Sequence, residues 1–349
     1  SSIANKTSGM YLKDGWFYWN GGRSKQAIPL KIRVAPPNST YESEMLKLPV
    51  CYFRVVRKWM TSRYRYYLQI TLKGKPVSKN RPVVEGRVGI DIGTQSIAIA
   101  SLNSVRLLEL ADHVNQNHTR IQYLQKKMDR SRRATNPGNF CSDGTIRRGI
   151  KLTWNYSNHY QKLAGEIRML QRKNADIRKY QHYCLANDVL ALGNEVYVET
   201  MNFRALQRRA RETTVNERGR FNCKKRFGKS LANKAPAMFI LFLEKKLEAS
   251  GGKLHRVNTS AFKASQYDHV SQKYSKKMLS QRMHRLPNGD LVQRDMYSAF
   301  LLMNAACTLQ APDQMLCERT YSTFKYFHDI ELMRIQNDGK HHLSSFGIA

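Results

Sequence analysis

Three acids stand where an apolar chain should have none. Asp91 closes the run Val88-Gly-Ile-Asp, Glu199 closes Val196-Tyr-Val-Glu, and Asp295 follows Arg294 at the start of a predicted helix. A lone carboxylate on a buried strand is costly, because desolvating an unpaired charge is unfavourable. A cation should therefore compensate Asp91 and Glu199. Asp295 on its own reads as an N-cap or first-turn acid. Taken as a set, the three can hold two Mg²⁺ ions roughly 4 Å apart, the arrangement that stabilises both oxygens of an in-line phosphodiester cleavage. Mn²⁺ is an acceptable substitute. Hard cations favour carboxylate oxygens, so His and Cys ligands are not needed.

The bulk composition agrees with a polyanionic substrate. The 349 residues carry 59 Lys and Arg against 26 Asp and Glu, a net charge of +33. That excess points to nucleic acid. A membrane surface is the other polyanion, but no long apolar run or concentrated basic amphipathic helix supports it. The apolar fraction of 41% is that of a globular chain. Six cysteines at 51, 141, 184, 223, 307 and 317 include no Cys-x-x-Cys pair. They read as reduced thiols, with no disulfide framework and no zinc site. The chain opens Ser-Ser without a Met, so a fragment or processed form is expected.

The elements that must position the acids follow from periodicity. Residues 50–56 and 65–72 read as strands. In the second, Tyr66, Leu68, Ile70 and Leu72 share a predicted core face, opposite Arg65, Tyr67, Gln69 and Thr71. Residues 88–91 and 95–101 predict a hairpin about Ile92-Gly93-Thr94. Apolar stripes at Ile121, Leu124, Met128 and at Tyr160, Leu163, Ile167, Leu170, Ile177 predict two helices packed as an antiparallel pair, broken at Asn136-Pro137-Gly138. Residues 195–199 and 253–258 read as strands, with an apolar helix at 235–249 between them. Pro287-Asn-Gly-Asp290 predicts a hairpin turn, and 295–309 a helix.

Basic segments flank the acids. Arg130, Arg132 and Arg133 lie near the break between the paired helices. Arg208, Arg209, Lys224, Lys225, Arg226 and Lys229 follow Glu199, and Arg294 precedes Asp295. A charge run is usually a solvated face. The total charge favours phosphate contacts here, which position nucleic acid without reading sequence. Trp59, Tyr66 and Tyr67 are candidates for stacking on unpaired bases, with core packing expected of at least one.

Two other readings of the residues were weighed. Asp-x-Gly-Thr at 91–94 also opens actin-like ATPases and sugar kinases, but a second phosphate loop and an adenosine motif are missing. An unguided structure-selective nuclease, such as a junction resolvase, has no use for the basic helical insertion.

In motif order the chain resembles the TnpB family, the transposon-encoded RNA-guided nucleases related to type V CRISPR effectors. The resemblance runs from about Val50 onward. It rests on Val88-Gly-Ile-Asp-Ile-Gly-Thr94, Asp129-Arg-Ser-Arg-Arg133 with Asn136-Pro137, Val196-Tyr-Val-Glu-Thr-Met-Asn-Phe203, Lys224-Lys-Arg-Phe-Gly-Lys229 and Arg294-Asp-Met-Tyr-Ser-Ala299.

The resemblance implies an α/β, RNase H-like (RuvC) nuclease domain with a helical insertion, preceded by a partial wedge-like β-barrel domain. The implied layout is residues 1–85 for the wedge-like part and 86–263 for the nuclease domain, with its helical pair at about 118–190. Residues 264–292 would be a target-strand-loading insert, and 293–349 the end of the nuclease domain with a C-terminal helical tail. Asp91, Glu199 and Asp295 become the family's metal-binding acids. The implied partners are a guide RNA and double-stranded target DNA beside a short flanking motif, in a cytoplasmic, nucleoid-associated bacterial setting. Sequence would be read by base pairing.

Two departures from the family are visible. Its members carry two Cys-x-x-Cys pairs before the last acid, and here that segment has none, so no zinc is expected. A site made of Asp268, His269 and His284 is conceivable there, with three solvated side chains as the plainer reading. The family's N-terminal recognition region is also missing from the first 85 residues. A separate chain or a second protein copy would then supply it, or the region is deleted or lies outside this sequence. A family member that binds guided DNA without cutting it, acting as a repressor, is the alternative function. Such members usually lose an acid, and all three remain here.

Overall fold

The computed structural model describes the chain except residues 1–2, 6–8, 22–27, 61–62, 75–82, 213, 218, 220–226, 279, 340–341 and 348–349, and gives only the backbone of 3–5. The fold is mixed α/β and divides into two compact units.

The first unit comprises residues 1–81 with 164–169. A four-stranded antiparallel meander runs β1 (Ile3–Asn5), β2 (Met10–Lys13), β3 (Trp16–Trp19) and β4 (Leu30–Arg33). A short helix α1 (Thr40–Met45), capped by the Ser39 side chain, leads to a ribbon of β5 (Val50–Met60) and β6 (Arg63–Leu72). Phe17 and Phe53 meet edge-on at 5.5 Å and are buried. The expected core face of β6 is only partly formed. Leu68, Ile70 and Leu72 are half-buried, but Tyr66 is 62% exposed. Among the described residues β5 and β6 pair with no third strand.

The second unit comprises residues 82–163 and 170–349. Its sheet contains β7 (Arg87–Ile92), β8 (Ser96–Ala100) and β9 (Val105–Glu109), an antiparallel meander. Helix α2 (His118–Thr135) and the 33-residue α3 (Asn158–Leu190) follow. Strand β10 (Glu195–Glu199) then pairs parallel to β7. Short helices α4 (Phe203–Leu206) and α5 (Gly228–Lys234) and the apolar α6 (Pro236–Ala249) lead to β11 (Lys253–Val257), parallel to β10. The order across the sheet is β11-β10-β7-β8-β9.

Helices cover both faces of this sheet. Val88, Ile90, Ile92, Ile97, Ile99, Val196 and Val198 pack on the end of α3 and on α6. The alternate positions face a second core. It is built after the helix α7 (Thr259–Phe262) and two small hairpins, β12 (Tyr267–Asp268) with β13 (Lys273–Tyr274) and β14 (Met283–Arg285) with β15 (Leu291–Gln293). Helix α8 (Arg294–Met303) enters this core with eight of its ten residues buried, and α9 (Gln314–Asn337) lies beside β9. There Glu331, 4% exposed, accepts from the Leu107 amide at 2.9 Å and from Arg334 at 2.6 and 2.8 Å. Among the described residues no helix is long and apolar enough to cross a membrane.

Candidate active site

Period-two alternation decides which way the acids face. On β7, Val88, Ile90 and Ile92 go to the α3/α6 core, so Gly89 and Asp91 lie on the α8 side. On β10, Val196 and Val198 go the same way, leaving Tyr197 and Glu199 on the α8 side. The parallel register pairs Gly89 with Tyr197 and Ile90 with Val198. One step further along each strand, Asp91 and Glu199 are neighbours on the same face.

Helix α8 brings the third acid. It packs so tightly on β7 that its Ala299 backbone touches Gly89. Asp295 is four residues back along the helix, roughly 6 Å of rise. Asp91 is two residues on from Gly89, roughly 7 Å along the strand. The two displacements carry Asp295 to Asp91. The electrostatics agree. The Asp91 carboxyl is held well above the usual carboxylate range, first by burial and then by the charges of Asp295 and Glu199, while Arg294 and Arg282 oppose the rise. Glu199 is raised by burial, partly offset by the Ala264 amide that donates to its Oε1 at 3.3 Å. Asp295 has cations in reach: Arg294 Nε at 3.4 Å and Arg282 Nη1 at 3.8 Å.

The structure thus brings together two Asp and one Glu, an all-oxygen donor set in which the charged form of Asp91 is disfavoured. That chemistry fits a hard divalent cation. Among the described residues, no group of three or more His, Cys, Asp or Glu side chains, this set included, is disposed to hold a metal ion.

The basic residues fall into four groups. Arg130, Arg208 and Arg209 are exposed, as is Lys229, whose Nζ donates to His118 Nε2 at 2.9 Å. Arg132 and Arg133 are committed internally. Asp129 accepts from them at 2.6 and 2.7 Å, Arg133 also donates to the Gly144 carbonyl at 2.8 Å, and the two guanidinium groups lie over Trp154 and Phe140. Arg294, 11% exposed, reaches Asp295 and the Met278 carbonyl. Lys224, Lys225 and Arg226 lie outside the described residues. In the first unit, Trp59, Tyr66 and Tyr67 are all exposed, with Lys58 over the Tyr67 ring at 5.1 Å. None of the three packs into a core.

His269 and His284 are not solvated, contrary to the plainer expectation. They are 3% and 5% exposed. The His269 Nδ1 pairs with Tyr297 Oη at 2.6 Å, and among the described residues both ring nitrogens of His284 lack a partner, as does Lys277 Nζ. Arg282, one of the insert's basic residues, lies beside Asp295 because its carbonyl accepts from the Arg294 amide at 2.8 Å, where the β14–β15 hairpin returns to the start of α8.

No family model matches the chain, and no curated protein matches it. Among solved structures, a cryo-EM structure of a CRISPR-Cas12f ternary complex is similar at 14% sequence identity and a TM-score of 0.35, covering 87% of this chain. The match spans 62% of the length of that structure's chain.

Proposed function

We propose that the chain is an RNA-guided, divalent-metal-dependent DNA endonuclease with one RNase H-like active site. The observation that carries this reading is the convergence of Asp91, Glu199 and Asp295 on one face at adjoining element ends. The sheet supports it: an antiparallel three-strand meander extended by two strands parallel to the first is the topology of RNase H-like nucleases. The net charge of +33 supports a nucleic-acid substrate. The guided part of the reading rests on the motif order described above.

Asp91, Glu199 and Asp295 would hold Mg²⁺. When bound, the ions supply Lewis-acid stabilisation of charge on the phosphodiester. The chain's own contribution is to gather three carboxylates on rigid elements, where a bound cation would relieve their mutual repulsion. Arg294 and Arg282 flank the site and offer guanidinium donors to a phosphate. Residues 1–85 serve as the wedge-like part and 264–292 as the strand-loading insert, held by hairpins and not by zinc.

A guided DNA binder without cleavage is the second reading. It is favoured by the engagement of Asp295 by two arginines and by the unfinished ligand set.

The test is to purify the protein from its native locus, sequence the RNA that accompanies it, and assay a matching DNA duplex with and without Mg²⁺. Cleavage that requires both RNA and Mg²⁺ is expected. Guided binding without cutting selects the second reading, and the absence of any bound RNA removes both.

A further inference from the structure

One face of the β5–β6 ribbon changes character along its length. Phe53 lies across from Ile70, Val55 from Leu68, Arg57 from Tyr66 and Trp59 from Tyr64, all on the same side. Phe53 is buried against Phe17, and Ile70 is half-buried. Further out, Tyr66, Trp59 and Tyr64 are 62%, 47% and 46% exposed. A face that begins as core ends as an aromatic surface open to solvent.

The exposed groups adjoin one another. Trp59 and Tyr64 meet edge-on with centroids 4.7 Å apart, and the Arg57 guanidinium lies over the Tyr64 ring at 4.4 Å. Arg57 is itself exposed. Aromatic rings and guanidinium planes are the groups on which unpaired bases stack. Single exposed aromatics need no explanation. Four flat groups side by side at one end of one face do.

Charge selects the occupant. The two strands carry Arg54, Arg57, Lys58, Arg63 and Arg65 and no acid, and the sequence has no acid at all between Glu44 and Glu85. On the ribbon's other side the register sets Lys58 directly across from Arg65. A like-charge pair in that position is destabilising, and a phosphate beside it would relieve the repulsion. A second copy of the chain would bring the same cations against these, so self-pairing fails on charge. A continuous duplex keeps its base faces stacked inside and leaves the rings nothing to cover.

We propose that the outer half of the β5–β6 ribbon binds a single-stranded segment of nucleic acid through its bases. Trp59, Tyr64, Tyr66 and Arg57 take the unpaired bases. Lys58 and Arg65 meet the phosphates, since long side chains on a ribbon two strands wide reach past its edges. This rests on the nucleic-acid part of the proposed function and not on the three acids.

The test uses the full chain, freed of nucleic acid in high salt and held in EDTA so that cleavage plays no part. Fluorescent single strands of about 12 nucleotides, one RNA and one DNA of the same sequence, and the matching duplex are titrated by anisotropy. Y64A/Y66A should weaken single-strand binding at least about tenfold and leave duplex binding by other basic surfaces nearly unchanged. Its slope of log affinity against log salt should stay that of wild type, because stacking releases no counterion. K58A/R65A should instead reduce the single-strand slope by about 1.4, the loss of two phosphate contacts at about 0.7 each. Y64F/Y66F keeps both rings and should bind as wild type does. Y66A, at the most exposed ring, keeps the test open if Y64A/Y66A does not fold. The more tightly held strand identifies RNA or DNA as the source. Equal single-strand binding by wild type and Y64A/Y66A, or an equal loss for strand and duplex, would overturn the proposal. So would binding to phosphatidylserine vesicles that Y64A/Y66A loses and the single strand does not displace, which would assign the face to lipid. Wild type that binds no nucleic acid would overturn the nucleic-acid reading as well, whereas an unaffected Y64A/Y66A overturns the ribbon site alone.

Discussion

Gly89 lies directly beneath the backbone of Ala299: a Cβ at Gly89 would stand 1.9 Å from the Ala299 carbonyl oxygen and 2.3 Å from the Met303 amide nitrogen. Both neighbours are backbone atoms of α8, so neither can swing aside. The missing side chain therefore sets how closely α8 approaches β7, and through that spacing where Asp295 meets Asp91. G89A should push the helix outward. We expect a loss of at least about 1–3 kcal/mol, the usual cost of overpacking, read by denaturant unfolding. Mg²⁺-dependent cleavage should also fall at temperatures where the variant stays folded. Wild-type stability in G89A would contradict the close packing.

Asp91 sits among charges of its own sign. Burial comes first and Asp295 and Glu199 second in holding its carboxyl above the usual range. A carboxyl raised in the fold binds protons more readily there than in the unfolded chain. At neutral pH, well above the unfolded value, that preference is unmet and stability is lost. D91N removes the charge while keeping the shape. It should raise the Tm of the metal-free protein, by roughly 2–4 °C for each kcal/mol of relieved repulsion. The same variant should lose cleavage and any rise in Tm on adding Mg²⁺, because ligand binding stabilises only a site that can bind. Thermal melts with and without Mg²⁺ check both. An unchanged melt without metal would mean the three acids do not share a field.

These two residues also show what a sequence can and cannot reveal. Asp91 and Glu199 are legible because a carboxylate ending an apolar run is anomalous in one dimension. Gly89 is equally visible in Val-Gly-Ile, but its meaning is a contact with a residue 210 positions on, which no periodicity encodes. Asp295 depends on that contact, so its role came from motif order. The hairpin at 283–293 was announced by Pro-Asn-Gly-Asp, and the helix at 236–249 by its apolar run. Strands β1 to β4 are three or four residues long, too short for alternation to register.

The insert should be pH-sensitive. His284 is buried with unpartnered ring nitrogens, and burial first, Lys277 second, push its pKa down to about 4. Asp268 opposes this shift, while Arg294 and His328 add to it. The folded value lies below the ordinary 6.5, so the neutral ring is favoured in the fold. Its contribution is complete above about pH 6.5 and is lost as the pH falls toward about 4. A shift of this size corresponds to on the order of 3 kcal/mol. Amide exchange across 283–293, corrected for intrinsic rates, should be faster at pH 5 than at pH 7. H284F should flatten the difference. Equal protection at the two pH values would show that the ring is solvated.

Arg130 and its neighbours Arg132 and Arg133 share a helix end but should behave differently. Arg130 is exposed. Arg132 and Arg133 donate to Asp129 three and four residues back, and Arg133 also ties down the Gly144 carbonyl. The loop they brace is further held by Asn136, whose side chain bonds the backbone of Asn155 at 2.7 and 2.8 Å. A cation held on its own acid releases few counterions when nucleic acid binds. R130A should therefore reduce the slope of log affinity against log salt by about one, the mark of one lost phosphate contact. The R132A/R133A double variant should leave that slope nearly unchanged, while limited proteolysis within 136–155 speeds up. Filter binding at several salt concentrations, paired with the proteolysis, separates the two roles. If the double variant flattens the slope as much as R130A or more, the arginines leave Asp129 to meet nucleic acid, and the brace holds only in the free protein.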